Sequence, residues 1–106
     1  MPKYLFQVSL NAEGVMGTLK EGGTSRRAVI EKLIEDMGGS LEADYYAFGD
    51  TDVFIIADLP DNATSAALSM VISASGAASI STTVLIPPEE IDEAAQKAVG
   101  YRPPGA

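Results

Sequence analysis

Hydrophobic residues in this chain repeat with two different periods, and the order of those periods constrains the fold more than any other feature. Residues 3–10, KYLFQVSL, alternate: Tyr4, Phe6, Val8 and Leu10 share one side, and Lys3, Leu5, Gln7 and Ser9 the other. That predicts a strand with one apolar face. Further on the spacing becomes helical, with Val29, Ile30, Leu33, Ile34 and Met37 on one stripe. Residues 40–48, SLEADYYAF, return to alternation, setting Leu41, Ala43, Tyr45 and Ala47 against Glu42, Asp44, Tyr46 and Phe48. VFIIADL at 53–59 is apolar on both faces apart from Asp58, and Gly49-Asp50-Thr51-Asp52 before it is turn chemistry, so these two strands read as a hairpin. A small-residue helix over 61–75 follows, with Ala63, Ala66, Ala67, Met70, Val71 and Ala74 as its buried side, and ASISTTVLI at 78–86 makes a last strand.

The punctuation agrees with this order. Asn11 caps a short helix running to about Lys20, whose buried side is Val15, Met16 and Leu19 and whose Gly14 and Gly17 weaken it. Gly22-Gly23 breaks it, Thr24 or Ser25 caps the next helix, and Gly38 or Gly39 supplies a left-handed stop. Pro87-Pro88-Glu89-Glu90 opens a final helix to about Val99, and GYRPPGA is an extended tail. Strand, helix, two strands, helix, strand and a helical tail make an α+β fold of the ferredoxin-like βαββαβ type in a single domain, 1–106. It predicts an antiparallel four-stranded sheet with both main helices on one face and an extra C-terminal helix.

The other face of such a sheet holds Leu5, Gln7 and Ser9, Tyr46 and Phe48, and Phe54 and Ile56. A surface that apolar is seldom left to water. A second copy related by a two-fold axis would cover it, with Leu5, Phe48, Phe54 and Ile56 as the interface. The alternative is that the last helix folds back over it.

Composition removes several function classes. The net charge of −8 argues against nucleic acid or an anionic membrane as partner. There is no cysteine, hence no disulfide and no thiol nucleophile, and no histidine, which removes the commonest general base, transition-metal ligand and haem ligand. No cofactor and no metal are expected. No apolar run approaches the ~20 residues of a membrane span, and MPKYLFQVSL lacks a signal-peptide layout. The cytoplasm is the expected location.

Three groups of residues can carry chemistry. In EGGTSRR, Gly22, Gly23, Thr24 and Ser25 offer backbone and hydroxyl donors at a helix start, and Arg26 and Arg27 add guanidinium groups for a small anion. Equally, Arg27 can pair with Glu31 and Arg26 with a carboxylate of the protein. Asp50 and Asp52, after Gly49, can hold a hard cation or only fix the turn. Tyr4, Tyr45 and Tyr46 can line a pocket or sit in the core with satisfied hydroxyls. Ser65, Ser69, Ser73 and Ser75 have no base at nucleophile spacing and read as small polar surface.

KYLFQVSLNAEG, LKEGGTSRRAVIEKLIEDMGG, FGDTDVFIIADLPDNATSAAL and IPPEEIDEAAQKAVGYRPPG together resemble the GYD domain family of small bacterial and archaeal proteins. The resemblance runs along essentially the whole chain. The family's Gly-Tyr-Asp signature lies in the turn between the second and third strands; Gly49 and Asp52 match it, while Thr51 stands where an aromatic is usual. The resemblance implies a dimeric α/β barrel. The wider group includes cofactor-free monooxygenases, haem-binding enzymes, small-lactone isomerases and stress-response proteins, and the GYD family has no assigned reaction.

Two function classes follow, with a third beside them. One is a homo-oligomer holding a small anionic metabolite near Arg26 and Arg27. The alternative is a cofactor-independent enzyme, monooxygenase- or isomerase-like, acting on a small aromatic or lactone-like substrate in a tyrosine-lined cavity. The third is an interaction domain with no ligand. Whether the chain is an enzyme stays open: lack of His and Cys favours the first class, yet carboxylates, tyrosines and arginines suffice for proton transfer. A pocket ending on tyrosine or aspartate would favour the enzyme.

Overall fold

The computed structural model describes residues 1–97 and 99–106. In chain order the elements are β1 (Lys3–Leu10), α1 (Ala12–Glu21), α2 (Gly23–Asp36), β2 (Ser40–Tyr46), β3 (Val53–Asp58), α3 (Asn62–Ala74), β4 (Ala78–Leu85) and α4 (Pro88–Ala95). The strands form a four-stranded antiparallel sheet in the order β2-β3-β1-β4. This is the expected α+β, ferredoxin-like arrangement.

The alternation of β1 decides where the core lies. Tyr4, Phe6 and Val8 are buried, and their partners across the ladder, Ala57, Ile55 and Val53, are buried beside them. Ile34 of α2, Leu68 of α3 and Leu59 close the cluster, with Ile30, Leu33, Met37 and Ile72 packed around it. Each large aliphatic or aromatic side chain taken from water there contributes about 1.5–3 kcal/mol.

Two helices turn differently from their sequence patterns. Val15, Met16 and Leu19 of α1 point to solvent, with Leu19 80% exposed. The inward side is Gly14, Gly17 and Thr18 instead. A Cβ at Gly14 would collide with the Ala77 carbonyl oxygen, so the missing side chain is what lets the helix settle against the start of β4. In α3 the buried residues are Ser65 and Leu68, with Ile72 one turn on, while Ala63, Ala66, Ala67, Met70, Val71 and Ala74 are not buried. Two branched aliphatics at i and i+4 outweigh a stripe of alanines. The entry of the helix is fixed as well: Asp61 Oδ1 accepts from Thr64 N at 2.8 Å, and Tyr4 Oη donates to Asn62 Oδ1 at 2.7 Å. Ser65 is thus a core residue, not a surface one.

In β2 the ladder to β3 shifts register between Leu41 and Ala43. Leu41 faces Ala57 on the helix side, but Ala43 then pairs with Ile56 and Tyr45 with Phe54 on the open side, while Asp44 pairs with Ile55 and Tyr46 with Val53 on the helix side. The expected positions of Tyr45 and Tyr46 are therefore exchanged. The bulge also brings Glu42 to Lys3, whose Nζ donates to Glu42 Oε2 at 2.7 Å and Asp58 Oδ1 at 3.0 Å on the open face.

α4 ends at Ala95 rather than near Val99; Ala98 lies outside the described residues. It buries none of its residues, and the molecule is long, 57 × 33 × 22 Å. The open face keeps Tyr45 71% and Phe54 36% exposed. Among the described residues no helix is long and apolar enough to cross a membrane.

The contrast between the glycines of α1 is testable. Gly14→Val is expected to destabilise by about 1–3 kcal/mol through overpacking. Gly17→Ala, whose Cβ meets nothing within 4 Å, is expected to stabilise by about 0.5–1 kcal/mol. Urea unfolding of the two variants beside the parent chain measures both.

Candidate functional site

A cavity of about 390 Å³ opens between the helix face of the sheet and α1, α2 and the end of α3. Its apolar floor comes from Val8, Leu10, Val53 and Ile55, and its walls from Val29, Ile30, Leu33, Val71 and Ile72. The polar groups gather at the β2 side: Thr18 and Glu21 from α1, Arg26 from α2, and Asp44 and Tyr46 from β2, with Glu13 further along α1. β2 reaches this cavity with an acid and a phenol because the register shift turned them inward.

Asp44 is the most unusual group. Its Oδ1 has almost no accessible surface and, among the described residues, accepts no hydrogen bond. Loss of hydration pushes its carboxyl above the ordinary range, and the nearby positive charge of Arg27 only partly opposes that. Tyr46 is also pushed up, first by burial and then by the negative charge of Asp44, with Arg26 and the Thr18 hydroxyl acting in the other direction. Its ring lies against the start of α2, 3.4 Å from where a Cβ on Gly23 would stand.

The loop of glycines and arginines is a hinge between two helices. Gly22, at φ 83°, ends α1 by donating its N–H to the Thr18 carbonyl at 2.7 Å. The same residue opens α2, its carbonyl accepting from Arg26 N at 3.2 Å. The left-handed φ suits glycine. Helix α2 starts at Gly23, ahead of the expected caps, so Thr24 and Ser25 lie in its first turn and no side chain caps it. Arg26 Nη1 donates to Glu21 Oε2 at 3.2 Å, which ties the last residue of α1 to the first turn of α2. Arg27 is exposed, and among the described residues it forms no ion pair with Glu31.

Of the three tyrosines, only Tyr46 borders the cavity. Tyr4 is 1% exposed in the core, with its hydroxyl satisfied by Asn62. Tyr45 lies on the open face beside Phe54. Leu5 and Ile56 share that face, whereas Phe48 lies beyond the end of β2 and is fully exposed.

The turn holds the sheet corner. Asp52 N donates to the Val8 carbonyl at 2.9 Å, and Asp52 Oδ2 accepts from Leu10 N at 2.7 Å, filling a place that a strand carbonyl would otherwise take. Ser9 Oγ donates to the Asp50 carbonyl at 2.6 Å. Among the described residues no group of three or more acids is placed to hold a metal.

Asp44 was not among the residues marked by the sequence, because strict alternation puts it on the outer side. Its burial makes a stability prediction. The folded pKa is raised above the ordinary 3.8, so Asp44's favourable contribution is present below that pH and lost as pH rises through the raised value. Asp44→Asn is expected to melt a few degrees higher than the parent chain at pH 7, with the difference shrinking below about pH 4. Thermal unfolding monitored by circular dichroism across pH 3–8 checks it.

A family model for the GYD domain matches residues 4–95, from β1 to the end of α4, and so takes in the hairpin turn and every residue of the cavity. No curated protein and no solved structure gives a significant match. With most of its length covered, the chain belongs to the GYD domain family.

Proposed function

We propose that this GYD-domain protein binds a small, neutral and largely apolar molecule in its internal cavity and works as a homo-oligomer. The observation that carries the reading is the cavity itself. Its volume of about 390 Å³ falls within the range of small-molecule sites, and an aliphatic floor ending on a few polar groups is their usual make-up. Asp44 and Tyr46 would fix the ligand's polar end, and the aliphatic walls its body.

Charge favours a neutral ligand over an anionic one. Glu13, Glu21 and Asp44 outnumber Arg26 in the lining, and Arg26 is already engaged by Glu21. An anion would enter a field of its own sign and would need to displace an internal partner.

The open sheet face supports the oligomer. Leu5, Tyr45, Phe54 and Ile56 lie on it together, which suits a second copy of the same surface. Four strands of six to eight residues offer roughly 450 Å² per copy, short of the ~800 Å² per partner of a standard interface. α4 and the tail would supply the remainder, since Ile91 is 52%, Val99 80% and Tyr101 76% exposed.

Titration with the neutral fluorescent probe N-phenyl-1-naphthylamine is expected to give a saturable, blue-shifted signal that Val29→Trp, in the cavity wall, weakens at least about tenfold. An unchanged affinity in that variant would reject the cavity as the site. Phe54→Asp is expected to reduce the molar mass measured by light scattering to that of one chain; an unchanged mass would reject the sheet-face interface.

A further inference from the structure

One glycine of α1 narrows the class of ligand, given the reading of the cavity as a binding site. We propose that Gly17 is the size-determining residue of that site: its missing side chain makes room for a broad, neutral, apolar molecule lying against the main chain of α1, and a larger residue there restricts the site to smaller ligands.

Gly17 belongs to the inner side of its helix. Gly14, Gly17, Thr18 and Glu21 all border the cavity, at the i, i+3, i+4 and i+7 spacing of one helix face. Val15, Met16 and Leu19 take the outer face. Within the inner stripe the two glycines meet different surroundings. A Cβ at Gly14 would collide with the Ala77 carbonyl oxygen and crowd the Leu10 side chain, whereas a Cβ at Gly17 would have nothing within 4 Å. The first glycine is a packed contact. The second faces the open volume of the cavity.

Neither backbone nor packing calls for a glycine at 17. Its φ is not in the left-handed region, unlike that of Gly22 at the helix end. No main chain passes close to it, unlike Gly14. It nonetheless sits in the middle of a helix of only ten residues, where alanine would hold the helical conformation better. A residue that weakens its own helix and relieves no contact calls for another reason. The space in front of it is one, since stability given up at a site commonly goes with function there.

The wall that Gly17 leaves bare suits a neutral ligand. In the middle of α1 its N–H and C=O are taken up by the helix, so what it turns to the cavity is C–H. Across the space lies the aliphatic floor of β1 and β3, with Val8 and Val53. A ligand broad enough to reach from that floor to the helix main chain buries apolar surface against both. A narrower one leaves part of the space unfilled, and the contacts it lacks lower its affinity.

The test uses the full chain and two neutral probes of different size. N-phenyl-1-naphthylamine is the broad one, titrated by fluorescence, and indole the small one, titrated by saturation-transfer nuclear magnetic resonance. Gly17→Leu is expected to weaken the dye at least about tenfold and indole less than about threefold, with Gly17→Ala weakening the dye at least about twofold. Both variants are expected to unfold in urea at or above the midpoint of the parent chain, which separates lost binding from lost folding. Should Gly17→Leu prove destabilised, Gly17→Ala decides, and a dye affinity equal to the parent's there overturns the proposal. Unchanged dye affinity in a folded Gly17→Leu, or an equal loss of dye and indole, would also overturn the role of Gly17; a loss of dye binding in Val29→Trp would then leave the cavity site standing. Failure of the parent protein to bind the dye would remove the binding reading and this one with it.

Discussion

A single extra residue in the pairing of β2 with β3 determines what this fold can do with its inner space. A strand gives alternate residues to opposite faces, so one step of slip transfers the whole set. The slip falls between Leu41 and Ala43. Ahead of it Leu41 packs on the core; after it Asp44 and Tyr46 face the helices and Ala43 and Tyr45 face away. Without the bulge the cavity would receive Ala43 and Tyr45, and the carboxylate would stand in water. Bulges commonly sit at sheet edges and re-aim side chains beside functional sites, and β2 is an edge strand here.

The same geometry accounts for two arginines at a helix start in an acidic chain. The first turn of α2 carries no acid, and the partial positive charge of the helix end adds to that of Arg26 and Arg27. Glu21 meets Arg26 directly, and Asp44 lies in the field of Arg27. The anions that balance this corner come from the preceding helix and the neighbouring strand. Local sequence shows the arginines and Glu21 but cannot show that a strand residue far along the chain approaches them.

How much was legible follows from the kind of signal each element gives. β1 and β3 were readable because their apolar sets are large and their pairing unbroken, Tyr4 to Ala57 through Val8 to Val53. Asn11 works as the cap it was expected to be, accepting from Gly14 N at 3.0 Å. The faces of α1 and α3 were misjudged because hydrophobicity was weighed without shape. Gly14 is inward since a backbone must pass close to it, and Leu68 and Ile72 prevail over alanines that bury little area. The cavity's acid was hidden by the bulge, which has no mark in the residue pattern of SLEADYY. Tyr46 was singled out as a pocket residue but assigned to the wrong face.

The corner at Gly49–Asp52 separates groups that hold a joint from one that does not. Its fastening is done by the main chain of Asp50 and Asp52 and by one carboxylate, directed at the end of β1 and, through the Asp52 carbonyl, at Ala47 N beyond β2. Thr51 takes part only through a long 3.4 Å contact of its hydroxyl with the Gln7 amide. The side chain at position 51 is therefore spare as far as architecture goes: it can change and leave the joint intact, whereas the carboxylate of Asp52 has no such licence.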